Sequence, residues 1–342
     1  MKFGKCNTDY IFEVDGNRTE GWGKPRIVPY HNFDMHPFNS TIHYSIECFE
    51  GLKAYIDANK NVRLFRPELN MERLYKTALT LTCIPFDKNE LLKCLEQFIL
   101  IEKEWIPTTF LHSLYIRPTI ISNSNKLILS PPESFKIYIV LTPVGNYFPK
   151  GFTAIDLTTE DNFARACKSG RGQFKSGSNY GPTIFWQSKA SKEGFDQILW
   201  LTDDKHISEG GAMNIFFIFK KDQGKYEIAT PMLDGSILPG ITRKSIIDMM
   251  RDEGEHEVSE RLITTEEVLK KNKEGKLVEI FCSGTAAICT PVKTLRIKGN
   301  TIKMQIDPVE KSGPITSYIY KKLLGIQYGQ IPHHFSKIIG KL

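Results

Sequence analysis

Between Asn89 and Trp105 the apolar residues Leu91, Leu92, Leu95, Phe98 and Ile99 recur at three- and four-residue intervals, which gathers them on one face of a helix. The same period predicts a helix from about Pro67 to Thr82. Further helices are predicted around 182–192, from Thr242 to about Arg251, from Thr265 to Asn272, and after Pro314. Short apolar runs predict strands at 52–56, 62–65, 114–117 and 136–141 in the first half. In the second half they fall at 197–201, 213–219, 226–229 and 278–281. Core positions are therefore plentiful in both halves, and strands and helices alternate without an internal repeat.

The segment 142–151 carries two prolines and two glycines and breaks both periodicities, so it is the best candidate for an interdomain linker. A division follows into a smaller N-terminal α/β domain, 1–149, and a larger C-terminal domain, 150–342. The class is α+β. A chain of 342 residues exceeds what one compact core usually organises, in keeping with two domains. No uncharged apolar run reaches the roughly 18–20 residues of a membrane span.

Composition narrows the chemistry. Charged residues make up 25% of the chain and the formal charge is +6, yet basic and acidic residues alternate, as in 270–274 (Lys-Lys-Asn-Lys-Glu), so a solvated surface is expected rather than a nucleic-acid stripe. Seven cysteines form no CxxC pair and are odd in number, which points to free thiols in a reducing compartment. The first residues lack an apolar signal core, and Asp9, Glu13, Asp15 and Glu20 do not suit an acid-poor transit peptide, so a cytoplasmic location is expected. The His333-His334 pair has no accompanying ligand cluster, so no metal is expected. Neither GxGxxG nor GxxxxGK[ST] is present, which removes the common nucleotide loops.

Two turns in the second half are suited to an anion. Leu238-Pro239-Gly240-Ile241-Thr242-Arg243 leads into a helix, whose first-turn N–H groups and Thr242 hydroxyl can cradle a phosphate or simply cap the helix. Cys282-Ser283-Gly284-Thr285-Ala286-Ala287 follows a strand and offers another hydroxyl and more backbone donors. A loop lysine, Lys175 in Gln173-Phe174-Lys175-Ser176-Gly177-Ser178-Asn179-Tyr180-Gly181, would complete a site for a phosphorylated cofactor.

These segments, with Glu209-Gly210-Gly211-Ala212-Met213-Asn214, Phe49-Glu50-Gly51-Leu52-Lys53-Ala54, Asn70-Met71-Glu72-Arg73, Leu114-Tyr115-Ile116-Arg117-Pro118 and Gln327-Tyr328-Gly329, occur in the order found in the branched-chain amino-acid aminotransferases. The chain resembles that family over about residues 20–329. The resemblance implies the two-domain fold type IV of pyridoxal 5′-phosphate (PLP) enzymes, similar to D-amino-acid aminotransferase, with the active site between the domains. It implies transamination between leucine, isoleucine or valine and 2-oxoglutarate. Lys175 would carry the cofactor and transfer the proton, Glu209 would face the pyridine nitrogen, and Tyr180 the phenolic oxygen. Arg73, Ile241, Thr242 and Thr285 would hold the phosphate. Tyr44, Phe49, Tyr115, Arg117, Gly284, Thr285 and Ala286 would line the substrate pocket, with Tyr44 reaching into a second subunit, so a homodimer is implied. Ala212 stands where eukaryotic members usually carry a hydroxyl, and Ala287 and Thr290 where the mammalian enzymes carry a redox cysteine pair. A D-amino-acid aminotransferase, a PLP lyase, and a non-catalytic ligand-binding scaffold are the alternatives.

Overall fold

A computed structural model describes residues 4–145 and 152–342. Contacts divide them into two compact units: 4–145 with 174–178 and 325–342, and 152–173 with 179–324. Against the expected division at 149/150, two later segments thus belong with the first unit, and one of them carries Lys175.

The first unit is built on a nine-stranded sheet, antiparallel throughout among the described residues. Its main path runs Ser336–Lys341, Asn61–Phe65, Leu52–Ile56, Ser113–Ser122, Ser134–Val144, Tyr10–Asn17, Gly21–Trp22; Arg26–Pro29 pairs with Tyr10–Asn17 and Glu47–Phe49 with Ser113–Ser122. Strand alternation gives the sheet two unlike faces. Leu114, Ile116 and Ile120, with Ile137 and Ile139 of the neighbouring strand, join a core shared with Leu74 and Ala78 of helix Pro67–Thr80 and Leu91, Leu95 and Phe98 of helix Lys88–Ile101. Tyr115, Arg117 and Thr119 therefore project to the opposite face.

The helical stripe forms as its spacing predicts. Asp87 fixes the start by accepting from the Asn89 and Glu90 N–H groups at 2.8 and 3.1 Å. The α-helix stops at Ile101, earlier than expected, and Lys103–Trp105 tightens into a 3₁₀ turn. Of the predicted linker, 146–151 lie outside the described residues, whereas Thr142, Pro143 and Val144 continue strand Ser134–Val144, opposite Tyr115, Leu114 and Ser113. Proline is tolerated there because the ladder to strand Tyr10–Asn17 reaches only as far as Ile139, so no neighbour needs its missing N–H. The tail beyond Gln330, with no predicted role, adds strand Ser336–Lys341 to the edge strand Asn61–Phe65.

The second unit also has a nine-stranded sheet, and part of it closes. The strands Ile207–Gly210, Gln197–Leu201, Ile155–Thr159, Ile288–Ile297, Leu277–Gly284 and Met213–Lys220 follow one another, and the last pairs back with the first. Leu157, Leu199, Ile215, Phe217, Ile280 and Val292 fill one core. Met213–Lys220 is buried at every position but its last, which is why it reads as a continuous apolar run rather than an alternating one. Helix Ile241–Glu253 begins after Gly240 and ends at Gly254, whose φ of 68° is the left-handed conformation that glycine adopts without strain. Among the described residues no helix is long and apolar enough to cross a membrane.

Candidate active site

In the first unit, the segment carrying Lys175 is tied down by main-chain bonds. Phe49 N–H donates to the Lys175 carbonyl at 3.0 Å, and the Lys175 N–H donates to Thr77 Oγ1 at 3.2 Å. Ser176 Oγ donates to the Glu47 carbonyl at 3.1 Å. The lysine Nζ lies 4.9 Å from the Phe49 ring centroid.

Beneath this segment sits a buried charged cluster. Arg73, which the resemblance implies as a phosphate ligand, is 8% exposed; Nε and Nη2 donate to the two oxygens of Glu50 at 2.6 and 2.9 Å. Asn70 and the Gly51 N–H also donate to Glu50, at 2.7 and 3.0 Å. Burial opposes the Glu50 charge, but Arg73, Lys175 and Asn70 outweigh it and hold the carboxyl below its ordinary range. Arg117 Cζ lies 4.5 Å from the Phe49 centroid, and Arg117 Nη2 donates to Tyr115 Oη at 3.1 Å. Phe49, Tyr115, Arg117 and Lys175 are thus brought together. Tyr44 stands apart on helix Ser40–Tyr44, exposed, with its hydroxyl donating to the Leu127 carbonyl at 2.5 Å.

The second unit supplies a different set. Read as a solvated turn residue on its own, Glu209 is a buried member of strand Ile207–Gly210 and forms an ion pair with Arg165, each side chain 3% exposed. The other oxygen, Oε1, accepts from the Leu238 N–H at 3.3 Å and from Asn214 Nδ2 at 3.4 Å. Arg165 Cζ also lies 5.4 Å from the Tyr180 ring centroid, so Tyr180, Arg165 and Glu209 form one group.

Asn214 ties that group to the anion-ready turn, since its Nδ2 donates to the Leu238 carbonyl at 2.9 Å. A Cβ on Gly240 would fall 2.0 Å from Asn214 Oδ1, so only glycine permits this approach. Gly240 caps the helix without a side-chain bond, which leaves the first-turn donors at Ile241 and Thr242 to an anion. Asn214 pairs across the sheet with Ser283, so the half-buried turn Thr285–Ala286 leaves the strand end beside it, and Gly284 packs near Met213.

Sequence reasoning assigned no role to Glu47, Glu50, Arg165 or Asn214. Glu50 and Asn214 lie inside quoted motifs, but the partners Arg73 and Asn70 of the one and the Leu238 carbonyl of the other come from separate segments; Arg165 stands in an irregular stretch with no periodic signal. Among the described residues no cluster of three or more His, Cys, Asp or Glu could hold a metal ion.

The family model for amino-transferase class IV matches residues 47–295. Over 341 residues the chain is 42% identical to a branched-chain-amino-acid aminotransferase of Dictyostelium discoideum, covering 99% of this chain and 90% of the relative. The mitochondrial branched-chain-amino-acid aminotransferase of Bos taurus is 42% identical, with 98% and 85% covered. Among solved structures, the Escherichia coli branched-chain amino acid aminotransferase superposes with a TM-score of 0.78 at 26% identity, covering 97% of this chain and all of that one. The Thermobaculum terrenum enzyme in its PLP form gives 0.78 at 20% identity, a likeness of fold, with 98% and 99% covered.

Proposed function

Since the chain belongs to the class IV aminotransferases, we propose that it exchanges amino groups between leucine, isoleucine or valine and 2-oxoglutarate, with PLP as carrier. The products are the branched-chain 2-oxo acids and glutamate. The observation that carries this reading is the 42% identity, end to end, with relatives that bear that activity in their names.

The residues present fit PLP. The helix start at Gly240, which has no side-chain cap, offers a phosphate its first-turn backbone donors, and Arg165 pairs with a buried carboxylate, Glu209, suited to face a ring nitrogen. When bound, PLP draws electrons from the substrate α-carbon and makes its proton removable. Lys175 is the amine that holds the cofactor and then moves the proton at Cα. Glu209, paired with Arg165, would hold the proton on the ring nitrogen. Tyr180 donates to the phenolic oxygen, while Arg73, Ile241, Thr242 and Thr285 secure the phosphate. Phe49, Tyr115 and Arg117 orient the substrate side chain. Gly284, Thr285 and Ala286 present backbone donors to its carboxylate.

A second copy of the chain would place Tyr44 at the partner's pocket. In support, Phe38 and Ile42, close to Tyr44 in sequence, and Leu127, whose carbonyl accepts from the Tyr44 hydroxyl, with its neighbours Ile128 and Leu129, all expose apolar surface. The seven cysteines are all free, which suits the reducing cytoplasm. Light scattering of the holoenzyme and cell fractionation test these two points. The activity itself is tested by following glutamate from leucine and 2-oxoglutarate. Turnover confined to D-amino acids, or none with the cofactor loaded, overturns the reading.

A further inference from the structure

Glu47 belongs to no role assigned above, yet it sits among the substrate-facing residues. Strand Glu47–Phe49 pairs antiparallel with Ser113–Ser122, with Phe49 opposite Thr119, and Thr119 in turn lies opposite Tyr138. Cross-strand partners project to the same face, and so do residues two apart along a strand. Glu47, Phe49, Tyr115, Arg117, Thr119 and Tyr138 therefore share the face opposite the hydrophobic core.

The Glu47 carboxylate is held in place there. Burial pushes the Glu47 carboxyl above its ordinary range, while a hydrogen bond accepted from the Gly177 N–H and the positive charge of Arg117 oppose that rise and favour the charged form. A Cβ on Gly177 would fall 1.5 Å from Glu47 Oε1, so the contact exists only because residue 177 is glycine. Arg117 uses Nη2 on Tyr115, while its buried Nε has no hydrogen-bond partner among the described residues. One fixed anion and one incompletely satisfied cation thus face the same space.

We propose that Glu47 is a specificity-determining residue that tempers Arg117: held by the Gly177 N–H on the face that carries Arg117, its negative charge offsets the guanidinium and limits how tightly the pocket holds a second carboxylate. The inference rests on the aminotransferase reading, and in particular on Arg117 meeting the side-chain carboxylate of glutamate and 2-oxoglutarate. An unopposed guanidinium would favour those two substrates at the expense of an aliphatic chain, which would have to strip water from a bare charge without replacing it. Glu47 offsets part of the Arg117 charge, and an aliphatic chain can then enter at less cost. A dicarboxylate then binds against the repulsion of Glu47, so the two half-reactions are brought closer in affinity.

The test uses the holoenzyme and single-turnover kinetics with leucine and glutamate, and with 4-methyl-2-oxopentanoate and 2-oxoglutarate. Glu47→Gln keeps an oxygen for the Gly177 N–H but removes the charge. It is expected to raise the preference for the dicarboxylate over its aliphatic counterpart by on the order of tenfold, about 1.4 kcal/mol, through affinity rather than the rate constant. Glu47→Asp, which keeps the charge, is expected to remain near the wild-type preference and covers the case in which the amide variant does not fold. Adding Glu47→Gln to Arg117→Met should abolish the shift, because the coupling has lost its partner. A preference unmoved by Glu47→Gln overturns the inference while leaving the function intact if Arg117→Met still impairs the dicarboxylates. If Arg117→Met leaves the preference unchanged, the reading of Arg117 fails first.

Discussion

Arg165 and Glu209 form a buried ion pair in the second unit, with both side chains almost wholly withdrawn from water. Breaking such a pair strands a charge, at a cost of about 3–5 kcal/mol. Glu209→Gln and Arg165→Met should therefore both destabilise the fold, and differ in rate. The glutamine keeps the volume but cannot hold a proton on the cofactor's ring nitrogen, so α-proton removal from leucine should slow by orders of magnitude, each tenfold amounting to about 1.4 kcal/mol. Each variant leaves the other member of the pair without its counter-charge and should lower stability, but Arg165→Met keeps the Glu209 carboxyl and should slow α-proton removal less. Single-turnover kinetics and denaturant unfolding of each variant separate the two effects. An unchanged rate in Glu209→Gln would remove Glu209 from the proposed mechanism.

Lys175 is fixed through its backbone by Phe49 and Thr77. Lys175→Ala should keep the fold and abolish turnover, because the main-chain bonds survive and the nucleophile does not. Borohydride treatment of the wild-type holoenzyme, followed by peptide mapping, should find the cofactor on Lys175. Label on a different lysine would refute the assignment.

The helical stripe Leu91, Leu95 and Phe98 was legible because periodicity reports burial directly, and the structure places all three in the core. Lys175, Tyr180 and Glu209 were legible only through a resemblance; a lone lysine among Gly, Ser and Asn carries no physical signal of its own. Arg165 and Glu47 escaped both routes. Each acquires a possible function from a tertiary partner, Glu209 for one and the Gly177 N–H with Arg117 for the other, and neither pairing leaves a local pattern in the chain. The Pro- and Gly-rich stretch 142–151 suggested a linker, yet Pro143 fits a strand whose outer neighbour has already ended, a placement that composition alone does not reveal.

Lys53 gives a test of the fold that does not depend on activity. It is buried in strand Leu52–Ile56, and burial pushes its pKa down from 10.5 to about 8. Below pH 8 both the folded and unfolded chains carry the proton, so the whole cost of burying the charge, about 3 kcal/mol, is present. Between pH 8 and 10.5 the unfolded chain binds more protons than the folded one, and stability rises with pH. The unfolding free energy of the wild type relative to Lys53→Met should accordingly increase from pH 7.5 to 10. A difference flat across that window would show that Lys53 titrates normally.

Ping-pong transamination asks one pocket to receive a branched aliphatic chain in one half-reaction and a second carboxylate in the other. Apolar walls alone would leave that carboxylate desolvated and unpaired, at a cost of several kcal/mol. Arg117 has the means to avoid this: its guanidinium stacks near Phe49 and Tyr115, bonds the Tyr115 hydroxyl, and keeps a buried Nε donor without a partner among the described residues. Its flat faces pack on rings and suit an aliphatic neighbour, whereas its edge can receive an anion. Arg117→Met preserves much of the packing and removes the charge. It should raise the KM for glutamate and 2-oxoglutarate by tenfold or more, a loss of about 1.4 kcal/mol, and change that for leucine by only a few-fold. Because KM blends binding with later steps, the two half-reactions should be followed separately by single-turnover spectroscopy. Equal losses for both substrates would mean that Arg117 supports the sheet rather than the second carboxylate, and the dual-substrate role would be withdrawn.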